Sequence, residues 1–226
     1  MAASDPAAAG SIEVTPTTID LPAASDTAVF YITNRGDAPT VTQIQGFDWR
    51  QSDGGDRLAP SATLTISPPM ARLAPGQQQI VRLAVEHDAA IVDERTFRLL
   101  VSELPDASVQ TGGVRVLLQF SVPVFKPGAN PGEASLSWEL ARSPEGLFLT
   151  ARNAGARHVK LIDLAFALAG RKPVAIAPAT FIYVLARASH RWTIPGHAFK
   201  TGEPLHVTGR DDNSGAAIDT SLAVPP

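Results

Sequence analysis

Apolar and polar residues alternate along most of this chain with the period of two that belongs to β-strands. The alternating segments are SIEVTPTTIDL (11–21), TAVFYITN (27–34), TVTQIQGFDW (40–49), ATLTISP (62–68), QQIVRLAVE (78–86), RTFRLLVSEL (95–104) and VRVLLQFSVPVF (114–125). Seven strands in about 115 residues fit an immunoglobulin-like sandwich. The last segment is unusual. Its even positions, Val114, Val116, Leu118, Phe120, Val122 and Val124, are all apolar. At about 3.3 Å per residue this row would run roughly 35–40 Å, longer than a typical strand. It raises the question of what covers so long an apolar edge.

The turns agree with this reading. Asn34-Arg35-Gly36-Asp37 and Ser52-Asp53-Gly54-Gly55-Asp56 supply loop tips, and Ala74-Pro75-Gly76 a turn with proline in its second position. Pro68-Pro69 cannot lie in a central strand and marks an edge or a change of sheet. Residues 127–133, with two Pro-Gly pairs, read as a linker between domains. Beyond it the strand pattern resumes in ASLSWELAR (134–142), GLFLTARN (146–153), VKLIDLAFAL (159–168), FIYVLA (181–186), HRWTI (190–194), PLHVTGR (204–210) and IDTSLAV (218–224). The expected organisation is a flexible lead-in over 1–10, one Ig-like domain over 11–126, the linker, and a second Ig-like domain over 134–226. Residues 159–170 also carry apolar spacings that suit a short amphipathic helix. No sequence repeat relates the two halves.

Composition removes several function classes. A net charge of −3 gives no footprint for nucleic acid. No run approaches the roughly 20 apolar residues that span a bilayer. The absence of cysteine excludes disulfides, thiol nucleophiles and thiolate metal sites. MAASDPAAAG lacks the charged start and apolar run of a secretory signal and reads as a mature start. His87, His158, His190, His197 and His206 are not spaced as zinc ligands, and the acidic turns do not follow calcium-loop spacing. No nucleophile elbow, phosphate loop or dinucleotide fingerprint occurs. Trp49, Trp138 and Trp192 fall in strand segments and are expected in cores. No enzyme, metal, cofactor or small-molecule substrate is expected.

Three strings carry a resemblance. FDWRQSDGGDRLAPSATLTISPPMARLAPGQQQIVRL (47–83) holds Pro68-Pro69, Leu73, Pro75-Gly76 and then Val81-Arg82-Leu83. ERTFRLLVSELP (94–105) closes on Glu-Leu-Pro, and FIYVLARASHRWTI (181–194) joins Tyr-Val-Leu to Arg-x-Trp. Together they resemble the periplasmic pilus-assembly chaperones of the chaperone–usher (PapD-like) family. The resemblance implies an all-β chain of two immunoglobulin-like β-sandwich domains in an L or boomerang. It implies pilus subunits and an outer-membrane usher as partners, and a periplasmic location. It also implies that Val114, Val116, Leu118, Phe120 and Val122 fill the groove of an incomplete subunit by donor-strand complementation. Val122 lies, with Val124, nearer the domain junction, where both also suit the chain's own core. The alternative is a two-domain Ig-like structural or adhesive surface protein that keeps the apolar strand internal.

The chain departs from the best-known branch of that family. The two basic residues that anchor a subunit's C-terminal carboxylate align with Pro16 and Pro123, and no Lys or Arg lies between Ser11 and Asp26. This resembles the divergent archaic branch. Arg98 and Lys126 are the candidate replacements, the guanidinium suiting a two-pronged carboxylate clamp. Glu94, Lys126, Asp211 and Asp212 align roughly with an interdomain charge network. The short segment DASVQTGG (106–113) matches chaperones without a long, disulfide-linked extension.

Overall fold

The computed structural model describes residues 12–104, 116–129, 132–168, 174–175, 181–195 and 199–226. Every regular element among them is a strand. Contacts divide the chain into two compact units, one within Met1–Trp49, Leu58–Ala90 and Arg95–Pro127, the other within Arg50–Arg57, Ile91–Glu94 and Gly128–Pro226. Each is built as a two-sheet sandwich.

The first sandwich uses β1 (Ile12–Thr15), β2 (Ile19–Asp20), β3 (Thr27–Asn34), β4 (Thr40–Ser52), β5 (Gly55–Pro60), β6 (Leu64–Ser67), β7 (Met70–Leu73), β8 (Gln78–Val85), β9 (Arg95–Leu104) and β10 (Gln119–Lys126). One sheet has the order β1-β3-β8-β6; the other has β2-β10-β9-β4-β5, with β7 on β4. Alternation decides which side chains meet between them. Phe30 and Ile32, Val81 and Leu83, and Phe97, Leu99 and Val101 turn inward from β3, β8 and β9 and are buried. Gly46 sits where a Cβ would meet methyls of Leu64 and Ile66 at 3.0 Å, so the missing side chain lets the sheets close there. The chain changes sheet at its prolines: Pro16 separates β1 from β2, and Pro68-Pro69 separates β6 from β7. A residue without an N–H suits a position where one ladder ends and another begins.

Lys126 fastens the end of β10. Its buried ammonium donates to the carbonyls of Ala23 at 2.9 Å, Ser25 at 3.0 Å and Pro22 at 3.4 Å, and meets the Asp26 carboxylate at 3.2 Å. The amine's three donors are thereby used on the turn between β2 and β3. The Lys126 hydrogen bond holds the Asp26 carboxyl below the usual carboxylate range, with a further contribution from His87.

The second sandwich uses β11 (Leu136–Ser143), β12 (Gly146–Asn153), β13 (Val159–Leu168), β14 (Val174–Ala175), β15 (Ile182–Val184), β16 (Ser189–Pro195), β17 (Pro204–Asp211) and β18 (Ala217–Ala223). Its sheets are β11-β12-β16 and β14-β13-β17-β18, with β15 on β13. Leu147, Leu149, Leu161, Val184, Ile194, Leu205 and Val207 form its buried centre.

Residues 159–168 form a strand rather than the amphipathic helix that their spacing also allowed. The register against β17 slips between Ile162 and Ala165, and Asp163 sits at φ 54°. One extra residue at this bulge flips the inward parity, so Val159 and Leu161 are followed by Leu164 and Leu168 in the core. The resulting steps of two, three and four mimic a helical period.

The two sandwiches share a turn that the sequence comparison missed. Asn34 and Asn153 each end a strand, and each Oδ1 accepts the N–H of the glycine two residues on, at 2.9 Å. Each amide donates to the carbonyl four residues on, at 2.8 and 2.7 Å, and to carbonyls of distant strands. Both side chains are fully enclosed and use their polar capacity locally.

Two outcomes follow for stability. Leu99→Ala, at the centre of the first sandwich, costs about 2–5 kcal/mol in urea unfolding. Asp26 titrates lower in the folded chain than in the unfolded one, so its contribution is complete above the ordinary carboxylate range. It is lost as pH falls through the depressed folded value. Asp26→Asn therefore flattens the acid limb of a stability–pH curve, as read by thermal melts between neutral and acidic pH.

Candidate functional site

β9 and β10 position the apolar row. They pair antiparallel with Phe120 opposite Val101, Val122 opposite Leu99 and Val124 opposite Phe97, so the even residues of β10 share the core-facing side. Burial falls along that side. Val124 and Val122 are 0% and 2% exposed, Phe120 and Leu118 are partly covered by the core, and Val116 is 50% exposed. Leu117, on the alternate parity, is also exposed. β10 begins at Gln119, and residues 116–118 lead into it without strand pairing of their own. Val114 lies outside the described residues.

This gradient corrects one expectation. Val122 belongs to the core of its own sandwich, opposite Leu99, and offers no free surface to a partner. The accessible part of the row starts at Phe120 and runs toward Val116.

On its other edge β10 has no strand partner along Gln119–Pro123 among the described residues. Among the described residues β2 pairs with it only at Val124 and Phe125. Glu103 N–H donates to the Leu118 carbonyl at 2.8 Å, and Leu21 N–H to the Phe125 carbonyl at 2.9 Å. These bonds set the phase of the strand: even residues turn their backbone groups to β9, and odd residues turn theirs outward. Gln119 and Ser121 thus line the exposed part of that edge, while Pro123, next to the residues that β2 pairs, is buried. An open apolar edge invites another strand.

The carboxylate-anchor candidates fare differently. Lys126 is spent on Asp26 and three carbonyls, as described above, which corrects its expected role. Arg98 stands beside β10, opposite Pro123. Its guanidinium lies 3.7 Å from the Trp49 ring centroid and donates to Ser121 Oγ at 3.3 Å. Trp49 in turn approaches Phe125, with ring centroids 6.0 Å apart. The cation is held over an aromatic face on the side of the sheet away from the apolar row.

The four residues expected to form a charge network, Glu94, Lys126, Asp211 and Asp212, each have partners within their own unit. Glu94 accepts from the His158 backbone N–H at 2.9 Å and meets its Nδ1 at 2.7 Å, with both side chains buried. Asp212 pairs with Lys160 at 2.8 Å. Asp211 is used within its own turn by Asn213 N–H and the Ser214 hydroxyl. Local partners a few residues away in space satisfy each acid, which alignment of charge types alone could not foresee.

Sequence reasoning also passed over Glu103. This acid is buried on the core-facing side of β9, and its carboxylate accepts from Thr40 Oγ1 at 2.8 Å and from Leu118 N–H at 3.4 Å. The signal was present in the Glu-Leu-Pro ending, where an acid occupies an inward parity position. Among the described residues no cluster of His, Asp or Glu could hold a metal, and His197 lies outside them.

The fold agrees with the comparisons. The family model "Pili and flagellar-assembly chaperone, PapD N-terminal domain" matches residues 11–128, more than half of the chain. No curated protein matches by sequence. Among solved structures, a chain from the CsuC–CsuE chaperone–tip adhesion subunit pre-assembly complex of Acinetobacter baumannii archaic Csu pili is 20% identical. The match covers 96% of this chain and 99% of that one, at TM-score 0.68. The E. coli chaperone DraB is 16% identical over 97% of this chain and 98% of its own, at TM-score 0.63. A chain of the Salmonella enterica SafA pilin–SafB chaperone complex is 16% identical over 95% and 97%, at TM-score 0.62. At these identities the structures establish a shared fold, and the family model establishes the rest: this chain belongs to the pilus-assembly chaperones that carry a PapD N-terminal domain.

Proposed function

We propose that this protein stabilises pilus subunits in the periplasm by donor-strand complementation and delivers them to an outer-membrane usher. The carrying observation is the gradient along β10. One end of the row, Val122 and Val124, is locked into the chaperone's own core, while Val116, Leu118 and Phe120 emerge from it beside an edge that has no strand partner there among the described residues. A strand of this kind stays folded when vacant and still has side chains to give.

In this reading an incomplete subunit lays its groove over residues 114–120, and Val114 completes the row. Each aliphatic or aromatic side chain taken fully from water contributes about 1.5–3 kcal/mol before ordering costs. Main-chain bonds along the open edge add to this and fix register. The subunit leaves when the N-terminal strand of the next subunit replaces the donated one. CsuC–CsuE and SafA–SafB are chaperone–subunit pairs on the same fold, which supports the choice of partner class.

Arg98 is the proposed anchor for the subunit's terminal carboxylate. Its guanidinium is stacked on Trp49, so little side-chain freedom remains to be lost on forming a two-pronged ion pair.

Co-expression with the cognate subunit tests the reading. Val116→Asp with Leu118→Asp removes soluble subunit while the chaperone keeps its circular dichroism spectrum. Unchanged subunit yield would refute strand donation. Arg98→Ala weakens subunit capture by about tenfold, the scale of one hydrogen-bonded charge pair, as read by titration of purified complex. Unaltered affinity would remove Arg98 from the site.

A further inference from the structure

Glu103 occupies a place where a carboxylate is costly. It lies 5% exposed on the inner face of β9. Its neighbours there are Thr42 on β4, opposite it in register, and Val101 two residues along its own strand. A carboxylate taken out of water is disfavoured unless hydrogen bonds compensate it. The carboxylate accepts from partners on both sides of β9. Oε1 takes the hydroxyl of Thr40, on β4, and Oε2 takes the N–H of Leu118, on the segment entering β10.

The Leu118 bond falls where β10 stops being a regular partner of β9. From Gln119 onward the two strands are in register, Gln119 opposite Ser102. At Leu118 the carbonyl still receives the Glu103 N–H at 2.8 Å, but its own N–H turns to the Glu103 side chain at 3.4 Å. One residue therefore grips both backbone groups of Leu118, one with its main chain and one with its carboxylate. Immediately before it, Leu117 and Val116 are exposed.

We infer that Glu103 is a positioning residue for strand donation, fixing the point at which the chain leaves β9 and the apolar row becomes available. The inference rests on the donor-strand reading and adds to it the element that sets the start of the donated segment. Thr40 holds the carboxylate in place, so the grip on Leu118 is transmitted from β4 through β9. Without the carboxylate the Leu118 N–H loses its acceptor, and residues 116–118 sample other directions.

Hydrogen exchange of the full-length free protein tests the grip without any partner. In Glu103→Leu, exchange in peptides spanning 116–121 rises about three- to tenfold, the weight of one modest hydrogen bond, while β3 and β8 keep their protection. Glu103→Gln retains an acceptor oxygen and restores most of the protection. Exchange that stays the same in 116–121, or that rises equally throughout the first sandwich, overturns the inference. Should Glu103→Leu not fold, Glu103→Gln and Thr40→Val carry the test, each expected to loosen 116–121 selectively and to a smaller degree. Co-expression separates the two ideas. Glu103→Leu lowers soluble subunit although Val116, Leu118 and Phe120 are intact. If the Val116→Asp, Leu118→Asp pair leaves subunit yield unchanged while the exchange result holds, strand donation fails and the grip stands; subunit yield unaffected by Glu103→Leu alone refutes the positioning role.

Discussion

The first sandwich depends on a strand that contributes more apolar side chains to its inner face than the sandwich can cover. Phe97, Leu99 and Val101 of β9 provide a buried floor, and Val124 and Val122 of β10 complete it. Phe120 and Leu118 reach only its margin, and Val116 lies beyond it. Apolar surface left in water is a liability unless a partner removes it, because hydrophobic stabilisation scales with the area covered. The same strand is anchored firmly at its far end, where Lys126 gathers the carbonyls of residues 22, 23 and 25. Firm anchoring at one end and open exposure at the other are two halves of one arrangement.

Much of the architecture was legible because alternation alone defines a half-buried strand. The stretches 27–34, 95–104 and 146–153 begin and end as the pattern indicates. β5 and β7 escaped notice because they are short and mostly exposed, β5 without a buried residue and β7 with only Leu73. At residues 162–165 the pattern was ambiguous for a physical reason, since a bulge changes parity and imitates another period. The site was legible as a row but not as a gradient. Val116 and Val122 are the same residue type at the same parity, and only the position of the surrounding sheets distinguishes the exposed one from the buried one.

Polar residues were harder to read, because a charge can choose among partners that sequence does not place. Lys126 took main-chain carbonyls as well as an acid. Glu94 took His158, and Asp212 took Lys160. Asn34 and Asn153 show the same limitation from another side. They serve equivalent turns in the two sandwiches, yet the matching pattern is only an asparagine and a glycine two residues later. Lys126, Asn34 and Asn153 are buried polar groups retained where a strand ends, since main-chain donors and acceptors there have lost their ladder partners.

Pro123 marks where the exposed stretch of β10 ends, for Gln119 and Ser121 are exposed and Pro123 is buried. It is one of the odd residues whose backbone faces outward, and it has no N–H to give. A visiting strand meets donors at Gln119 and Ser121 and a gap two residues further on. The imino acid thus works as a stop on a ruler: a guest chain slid too far toward Lys126 would leave one of its own carbonyls facing a ring methylene, and the lowest-energy alignment is the one that halts short of it.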